Sequence, residues 1–356
     1  RIKRAVRDSV EPGSTFKAIT AAAVFEASVV HPDDVFYCGD GSIVLGGTRI
    51  RDHKAFGELT FREVIAFSSN VGVIEASRMI REQDFYDTIL SFGFGRRTGV
   101  DLPGENSGIV NSLENWAGLS KAYISFGHEI AVSALQLTNA FAAIANGGRL
   151  NTPYVVRALG TPDGEEVLPR PPPREILSSS TFATLRTVLE GVVVEGTATA
   201  ASVDGYRVAG KTGTAQVVSL SVSNGRTGPW KYRDHGLFVF FAPFDKPKYA
   251  GAVVIEHGGG SGAAYPIARD VMTFLFDPAK GMDALRPLEE QWGGTAQQRL
   301  DAKYRAYAMA QGESVPPAPS RDEDIFDQVE AEARVAARQP QRIAEESSPS
   351  RVDTRS

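Results

Sequence analysis

Two apolar segments near residue 240 constrain the fold of this chain more than any other feature of its sequence. Gly236–Pro243 (GLFVFFAP) and Tyr249–Glu256 (YAGAVVIE) are rich in Val, Ile and Phe, and the short segment FDKPK separates them. Apolar runs of this length on either side of a turn that contains Pro and Asp are typical of paired β-strands. The pattern predicts an antiparallel hairpin.

The rest of the chain consists of apolar segments of helical character joined by loops. Pro12 and Gly13 mark the start of the first helix, and Asn146-Gly147-Gly148 follows a later helix as a C-cap. A further strand is predicted from Arg207 to Val218. The predicted helices run from Ser14 to about Ala27, from Phe61 to Phe67, through Val73 toward Ile80, from Leu135 to Ala145, from Thr181 to Val194 and from about Ala264 to Phe276.

Composition limits the classes of function. At 356 residues the chain is long enough for two domains, and its hydrophobic content of 42% is that of an ordinary globular protein. The 38 basic and 43 acidic residues give a net charge of −5, which does not favour a nucleic-acid partner. Cys38 is the single cysteine, so an internal disulfide and a cysteine-based metal site are excluded. The five histidines are scattered without ligand spacing, and we predict no metal site.

The two ends of the chain carry less information. Residues 301–356 are rich in Ala, Glu, Arg, Pro, Gln and Ser, so they bury too little surface to offset their ordering entropy. We therefore predict a folded domain over residues 1–290 and a disordered, charged tail over 291–356, with a transient helix around Val329–Arg338. The chain begins with Arg1 and contains no signal peptide or membrane-spanning apolar run. We expect that a more N-terminal part of the protein is missing.

The first motif with chemical content is Ser14-Thr15-Phe16-Lys17. Positions i and i+3 share one face of a helix, so the Ser14 hydroxyl and the Lys17 amine can meet. A serine becomes a nucleophile when a base takes its proton, and a lysine can be that base when burial or a nearby cation keeps it neutral. The alternative is a helix-capping serine and a surface lysine.

The second motif, Ser68-Ser69-Asn70, lies at a predicted break between two helices. A hydroxyl there can relay a proton, and an amide can bind a peptide carbonyl. The alternative is again capping, since Ser and Asn are preferred N-cap residues.

The third motif, Lys211-Thr212-Gly213-Thr214, lies on the strand predicted after Arg207. A lysine with flanking hydroxyls can bind a carboxylate, and Gly213 allows a ligand to lie close to the backbone. The alternative is an exposed lysine on an edge strand.

Gly205–Thr212 (GYRVAGKT) also fits the phosphate-loop pattern G-x-x-x-x-G-K-[ST]. That loop requires a strand before it and a helix after it. Here the preceding Thr197–Asp204 is small and polar, and the following AQVVSLSVSNG contains β-branched residues and glycine. A P-loop nucleotide hydrolase is therefore a remote alternative, which nucleotide binding would test.

Together, S-x-x-K, S-x-N and K-T-G occur in the order that is typical of penicillin-recognising serine enzymes. The segments EPGSTFKAITAAAVFEA, RTGVDLPGENSG, ISFGHEIAVSALQLTNAFAAIANGG and GYRVAGKTGTAQ resemble those of class B penicillin-binding proteins. The resemblance covers roughly residues 1 to 290. It implies an α/β fold in which helices flank an antiparallel sheet beside a mainly helical subdomain, with the Lys211 strand at the sheet edge facing Ser14.

The resemblance also implies roles for individual residues. Ser14 would be the nucleophile that forms an acyl-enzyme, Lys17 its general base, and Ser68 the group that shuttles the proton to the leaving group. Asn70 would bind the peptide backbone of the substrate. Lys211 would help to depress the pKa of Lys17.

The K-T-G segment would hold the substrate on its other side. Lys211, Thr212 and Thr214 would bind the terminal carboxylate next to Gly213. The backbone N–H groups of Ser14 and Thr214 would form an oxyanion hole.

The family reaction is a D,D-transpeptidation of peptidoglycan stem peptides. The D-Ala-D-Ala donor acylates the enzyme, a side-chain amine of a neighbouring strand accepts the acyl group, and no cofactor is needed. β-lactams imitate the donor. The resemblance further implies a membrane anchor upstream of Arg1, an extracytoplasmic (periplasmic) catalytic domain, and a membrane glycosyltransferase of the division or elongation machinery as partner.

Two alternatives share the same fold. A class A β-lactamase needs a carboxylate that activates water, usually in an E-x-x-L-N loop, and Glu105-Asn106 lacks that spacing. A β-lactam sensor domain would keep Ser14 and Lys17 without turnover. The segments IRDHKAFGELTFREVIAFSSN and HGLFVFFAPFDKPKYAGAVVIEHGG resemble the division-type and the elongation-type enzymes respectively, and the S-x-N form favours division.

Overall fold

The computed structural model describes residues 3–162, 164–216 and 232–311, and it combines helices with short antiparallel sheets. The strands pair in the orders β1-β7-β6, β2-β5, β3-β4, β8-β11, β9-β10 and β12-β13-β14. The strands are β1 Ser9–Val10, β2 Val35–Gly39, β3 Ser42–Leu45, β4 Thr48–Arg51, β5 Gly57–Thr60, β6 Ile109–Val110, β7 Ile130–Ser133, β8 Arg149–Leu150, β9 Ala158–Thr161, β10 Gly164–Val167, β11 Arg174–Glu175, β12 Ala209–Ala215, β13 His235–Ala242 and β14 Tyr249–Ile255.

The six predicted helices are present to within a few residues, and the described ranges contain five further helices that were not predicted. None of those in the described ranges is long and apolar enough to cross a membrane. The helices are α1 Arg4–Arg7, α2 Lys17–Glu26, α3 Phe61–Ala66, α4 Asn70–Arg78, α5 Glu82–Ser91, α6 Ser120–Ser125, α7 Ala134–Ala145, α8 Ser179–Val194, α9 Tyr265–Phe276, α10 Pro278–Gln291 and α11 Ala296–Ala310, with 3-10 turns at Gly13–Phe16, Leu113–Asn115, Thr199–Ala201 and Ser261–Ala263.

The strands β12, β13 and β14 form the main sheet. β13 and β14 are the predicted hairpin, and Val239 in β13 lies between Lys211 of β12 and Ala252 of β14. Helices α7 and α8 pack against this sheet. Within the described residues β12 is an edge strand, and it lies beside the 3-10 turn that contains Ser14. The predicted α/β class and the predicted place of the Lys211 strand are confirmed.

Helix α2 lies at the centre of the helical part. All of its residues but the last are buried, because α2 packs against α4, α5 and α8. A helix that is apolar on every side is stable only where protein surrounds it. The Phe16 ring before it lies 5.4 Å from that of Phe94, and Phe25 contacts Phe61 edge to face at 5.4 Å. The two contacts anchor opposite ends of α2, and the Phe16 contact lies directly before Lys17 in the first turn.

The phosphate-loop alternative is wrong. Gly210, Lys211 and Thr212 lie in the middle of β12 and pair with β13. A phosphate loop instead places these residues between a strand and the N-terminus of a helix, where successive backbone N–H groups surround the anion. An extended strand cannot form that cradle.

The chain divides into two compact units, Arg1–Met272 and Thr273–Ser356. Helix α11 of the second unit, Ala296–Ala310, lies inside the segment for which the composition predicts disorder. A capping box at Thr295 and many strong helix formers favour this helix, although its apolar content is low. The predicted helix at Val329–Arg338 lies outside the described residues, and the boundary at residue 290 stays a prediction.

Candidate active site

Two glycines allow the turn that carries Ser14 to lie directly against β12. Gly13 has a φ of +51°, and a Cβ there would collide with the carbonyl oxygen of Thr214. A Cβ at Gly213 would lie 2.7 Å from Cγ2 of Thr15. Glycine is the residue that permits both the positive φ and this approach of two backbones. Ser14 therefore lies next to the K-T-G strand, as predicted.

Lys17 is completely buried and makes three hydrogen bonds with the S-x-N turn. Its Nζ donates to the Ser68 carbonyl oxygen at 2.6 Å, to Asn70 Oδ1 at 2.7 Å and to Ser68 Oγ at 3.2 Å. Burial lowers the pKa of Lys17 to about 7, because desolvation disfavours the ammonium, although the charge of Asp52 acts in the opposite direction. Within the described residues no hydrogen bond joins this amine to the Ser14 hydroxyl.

The three residues of the turn Ser68-Ser69-Asn70 have different structural roles. Ser69 is the N-cap of α4, and its Oγ accepts from Gly72 N at 3.0 Å. Ser68 has a φ of +62°, an unusual conformation for a residue with a Cβ, which costs about 1–3 kcal/mol and turns its hydroxyl toward the two lysines. The capping interpretation is therefore right for Ser69, while the flanking Ser68 and Asn70 face the site.

The carboxylate of Asp52 holds this turn from outside. It accepts from the Ser69 hydroxyl at 2.6 Å, from the backbone N–H of Asn70 and from that of Val71 at 3.2 Å. The side-chain amide of Asn70 donates to the Arg51 carbonyl at 2.8 Å. Because the amide nitrogen of Asn70 bonds to Arg51, its amide oxygen Oδ1 faces Lys17.

Lys211 is the second buried amine, and it meets the same hydroxyl. Its Nζ donates to Ser68 Oγ at 2.9 Å and to the Thr212 carbonyl at 3.2 Å. Burial, assisted by the charge of Lys17, holds the pKa of Lys211 well below its usual value. A hydroxyl can accept two hydrogen bonds and donate one. Ser68 Oγ can thus bridge Lys17 and Lys211. Both lysines are buried, so the alternatives of a surface lysine at position 17 and an exposed edge-strand lysine at position 211 are wrong.

A cavity of about 560 Å³ adjoins these groups. Lys17 and Lys211 are completely buried and lie behind its wall, so Ser68 connects them to it. The candidate residues that line the cavity are Ser14, Ser68, Asn70, Thr212, Gly213 and Thr214.

Several groups that no sequence motif indicated also line the cavity. Asp52, His53 and His128 reach it from segments far apart in the chain, and Thr197 Oγ1 lies 2.6 Å from Thr212 Oγ1. The irregular spacing of the histidines in the sequence did not indicate that His53 and His128 line a cavity. In the part of the chain that the structure describes, no three His, Cys, Asp or Glu side chains are grouped so that they could hold a metal ion.

Comparison with known proteins agrees with this geometry. Residues 1–273 match the family described as the penicillin binding protein transpeptidase domain. The chain is 33% identical to penicillin-binding protein PbpB of Mycobacterium tuberculosis over 290 residues, which are 76% of this chain and 42% of that protein. It is 36% identical to stage V sporulation protein D of Bacillus subtilis over 280 residues, 75% of this chain and 42% of that protein.

Solved structures show the same similarity. The crystal structure of penicillin-binding protein 3 of Mycobacterium tuberculosis with aztreonam matches with a TM-score of 0.70 at 32% identity, over 78% of this chain and 64% of that one. The chain spans less than half the length of PbpB and of stage V sporulation protein D.

Proposed function

Because the chain belongs to the penicillin-binding protein transpeptidase family, we propose that it is the catalytic part of a peptidoglycan D,D-transpeptidase that forms an acyl-enzyme on Ser14. The observation that carries the proposal is the position of Ser68 Oγ, 3.2 Å from Lys17 Nζ and 2.9 Å from Lys211 Nζ. Two buried amines that share one hydroxyl at the wall of a cavity form a path for protons. Ser14 lines the same cavity.

Acylation needs one proton to move from the nucleophile to the leaving group. Neutral Lys17 accepts the Ser14 proton while Oγ bonds to the carbonyl carbon of the terminal D-Ala-D-Ala bond. When the C–N bond breaks, Ser68 donates its hydroxyl proton to the departing nitrogen, and the proton held by Lys17 replaces it. Lys211 stabilises the transient negative charge on Ser68.

The opposite walls of the cavity are suited to hold a short extended peptide. Asn70 offers an amide to the peptide backbone, and Thr212 and Thr214 offer hydroxyls to a terminal carboxylate beside Gly213. The backbone N–H groups of Ser14 and Thr214 are the proposed oxyanion hole. Each such donor contributes roughly 3–4 kcal/mol to catalysis, because it binds charge that exists only in the tetrahedral intermediate.

The position of Glu105 supports transpeptidation over rapid hydrolysis of the acyl-enzyme. Its carboxylate accepts from Thr98 N at 2.7 Å, from Thr98 Oγ1 at 2.5 Å and from Gly99 N at 3.2 Å. It is thus engaged with its own loop, and it does not line the cavity. Glu105 is therefore not placed to activate a water as a β-lactamase requires.

The proposal includes a cellular setting that rests on the family alone. We place the enzyme at the outer face of a bacterial cell membrane, held there by an anchor upstream of Arg1. There it would join stem peptides on glycan made by a membrane glycosyltransferase of the division or elongation machinery. Co-purification of the full-length protein with such a glycosyltransferase would test this part.

Mass spectrometry of the intact protein after incubation with a penicillin tests the chemistry. We expect one covalent adduct on the wild-type chain, no adduct on Ser14→Ala, and slow loss of the adduct. Rapid loss would favour a β-lactamase instead. A folded wild-type chain that forms no adduct would contradict the proposal.

A further inference from the structure

A histidine and a glutamate that are distant in sequence form a hydrogen-bonded pair at the cavity. His128 Nδ1 lies 2.8 Å from Glu11 Oε2, and Glu11 Oε1 accepts from the backbone N–H of Glu129 at 3.1 Å. His128 lines the same cavity as Ser14. None of the roles proposed above uses this pair.

The backbone ties the pair to both sides of the Ser14 turn. Strand β1, which ends just before Glu11, pairs with β7, which begins just after Glu129. Gly13 N donates to the Gly127 carbonyl at 3.2 Å, and a Cβ at Gly127 would collide with the backbone of Gly13. Glu11 and His128 are therefore held next to the turn from which Ser14 projects.

The contacts of His128 also fix its ring. Glu11 is acceptor-only when ionised, so it binds the Nδ1–H tautomer, and the neutral ring then carries its lone pair on Nε2. The ring of Phe126 packs edge to face against it with centroids 4.9 Å apart. An imidazole oriented by a carboxylate in this way is the arrangement of a general base.

Acylation of Ser14 leaves no task for such a base, because Lys17 already accepts the Ser14 proton in the proposed mechanism. The second half of the reaction has a different requirement. An acceptor amine with a pKa of roughly 10.4 arrives as an ammonium ion and cannot attack the ester until it loses a proton.

We propose that His128 Nε2 takes this proton from the acceptor ammonium, and that Glu11 is the positioning residue that orients the ring. The inference rests on the proposed function. The nitrogen lone pair freed by His128 bonds to the ester carbonyl carbon. The acceptor nitrogen then gives a second proton to Lys17, which passes it to Ser14 Oγ as the ester C–Oγ bond breaks. The products are the amide, free Ser14 and an imidazolium that releases its proton to water.

The test separates acylation from acyl transfer. His128→Gln and Glu11→Gln are compared with the wild-type chain and with the controls His31→Gln and Glu129→Gln, which replace an exposed histidine and the neighbouring exposed glutamate. A penicillin reports acylation of Ser14. An N-acyl-D-alanyl thioester as donor, with D-alanine as acceptor, reports the ratio of aminolysis to hydrolysis.

We expect His128→Gln to lower this ratio by about 100-fold, the lower end of the usual contribution of a general base, while penicillin acylation is unchanged. Glu11→Gln lowers the ratio less, because its amide can still accept from Nδ1 but can also turn and favour the wrong tautomer. Both controls keep the wild-type ratio.

Three results would overturn the inference. An unchanged ratio in His128→Gln with normal penicillin acylation would refute it and leave the proposed function intact. Equal losses of acylation and aminolysis would show that the pair merely supports the Ser14 turn. A wild-type chain that forms no penicillin adduct would refute the proposed function, and this inference with it.

Discussion

The buried amine of Lys17 predicts how the acylation of Ser14 responds to pH. Lys17 can act as the proposed base only while it is neutral, so the acylation rate should follow its neutral fraction. Burial lowers the pKa of Lys17 to about 7. Below that pH the amine is protonated and cannot accept a proton from Ser14. The rate should therefore fall as pH falls through 7 and level off above it.

The lowered pKa of Lys17 determines how large its neutral fraction is at a given pH. An exposed lysine with a pKa of roughly 10.4 is neutral in about one molecule in 2,500 at pH 7. With a pKa of about 7, half of the Lys17 amines are neutral at that pH. The neutral fraction is then about a thousandfold larger than for the exposed amine, and it falls about tenfold for each pH unit below about 6.

The substitution Asp52→Asn tests the same argument from the other direction. The carboxylate raises the pKa of Lys17, so its loss should move the acidic limb of the rate profile to lower pH. The amide oxygen can still accept from the backbone of Asn70, although the bond from Ser69 is weakened. Asp33→Asn is the matched control, because Asp33 pairs with Arg62 on the surface.

The assay is the rate of penicillin adduct formation, followed by intact-protein mass spectrometry between about pH 5 and about pH 9, a range that brackets the shifted pKa. Circular dichroism at each pH shows that the chain stays folded. A wild-type rate that does not vary over this range would refute the assignment of Lys17 as base. So would an acidic limb that Asp52→Asn moves to higher pH.

Three further substitutions test other parts of the site. Ser68→Ala should slow penicillin acylation by about 100-fold, because the buried amines lose the hydroxyl that links them; a rate near that of the wild-type chain would contradict the relay. Gly213→Ala should abolish adduct formation, since its Cβ would lie 2.7 Å from Cγ2 of Thr15, whereas Gly118→Ala, with open space around it, should not. Phe16→Ala should lower the free energy of unfolding in urea by about 3–5 kcal/mol, because Phe16 is completely buried, and a loss below about 1 kcal/mol would contradict this packing.

The elements that local pattern determines could be predicted from the sequence. The β13–β14 hairpin and helix α2 follow from their own residues, and the family resemblance carried by the three motifs implies that Ser14, Ser68 and Lys211 lie near one another. Burial of Lys17 also follows from the apolar helix that carries it.

The positions of Asp52, Glu11 and His128 at the site could not be predicted, because only the chain topology brings these residues to it. Asp52 reaches the S-x-N turn from the end of the β3–β4 hairpin, and Glu11 meets His128 across 117 positions. The positive φ of Ser68 has no local signal either, since serine is not a typical left-handed residue. Helix α11 was missed for a different reason, because apolar content does not measure helix propensity.

The two buried lysines limit how the site can hold protons. Lys17 and Lys211 each hydrogen-bond to Ser68 Oγ, so two ammonium ions there would repel one another in a desolvated environment. Both pKa values are lowered, and the charge of Lys17 is one cause of the shift in Lys211. Burial thus favours the neutral form of both amines, and a charge on one disfavours a charge on the other. In the proposed mechanism, a proton that Lys17 takes from Ser14 leaves through Ser68, which couples attack by the nucleophile to departure of the leaving group.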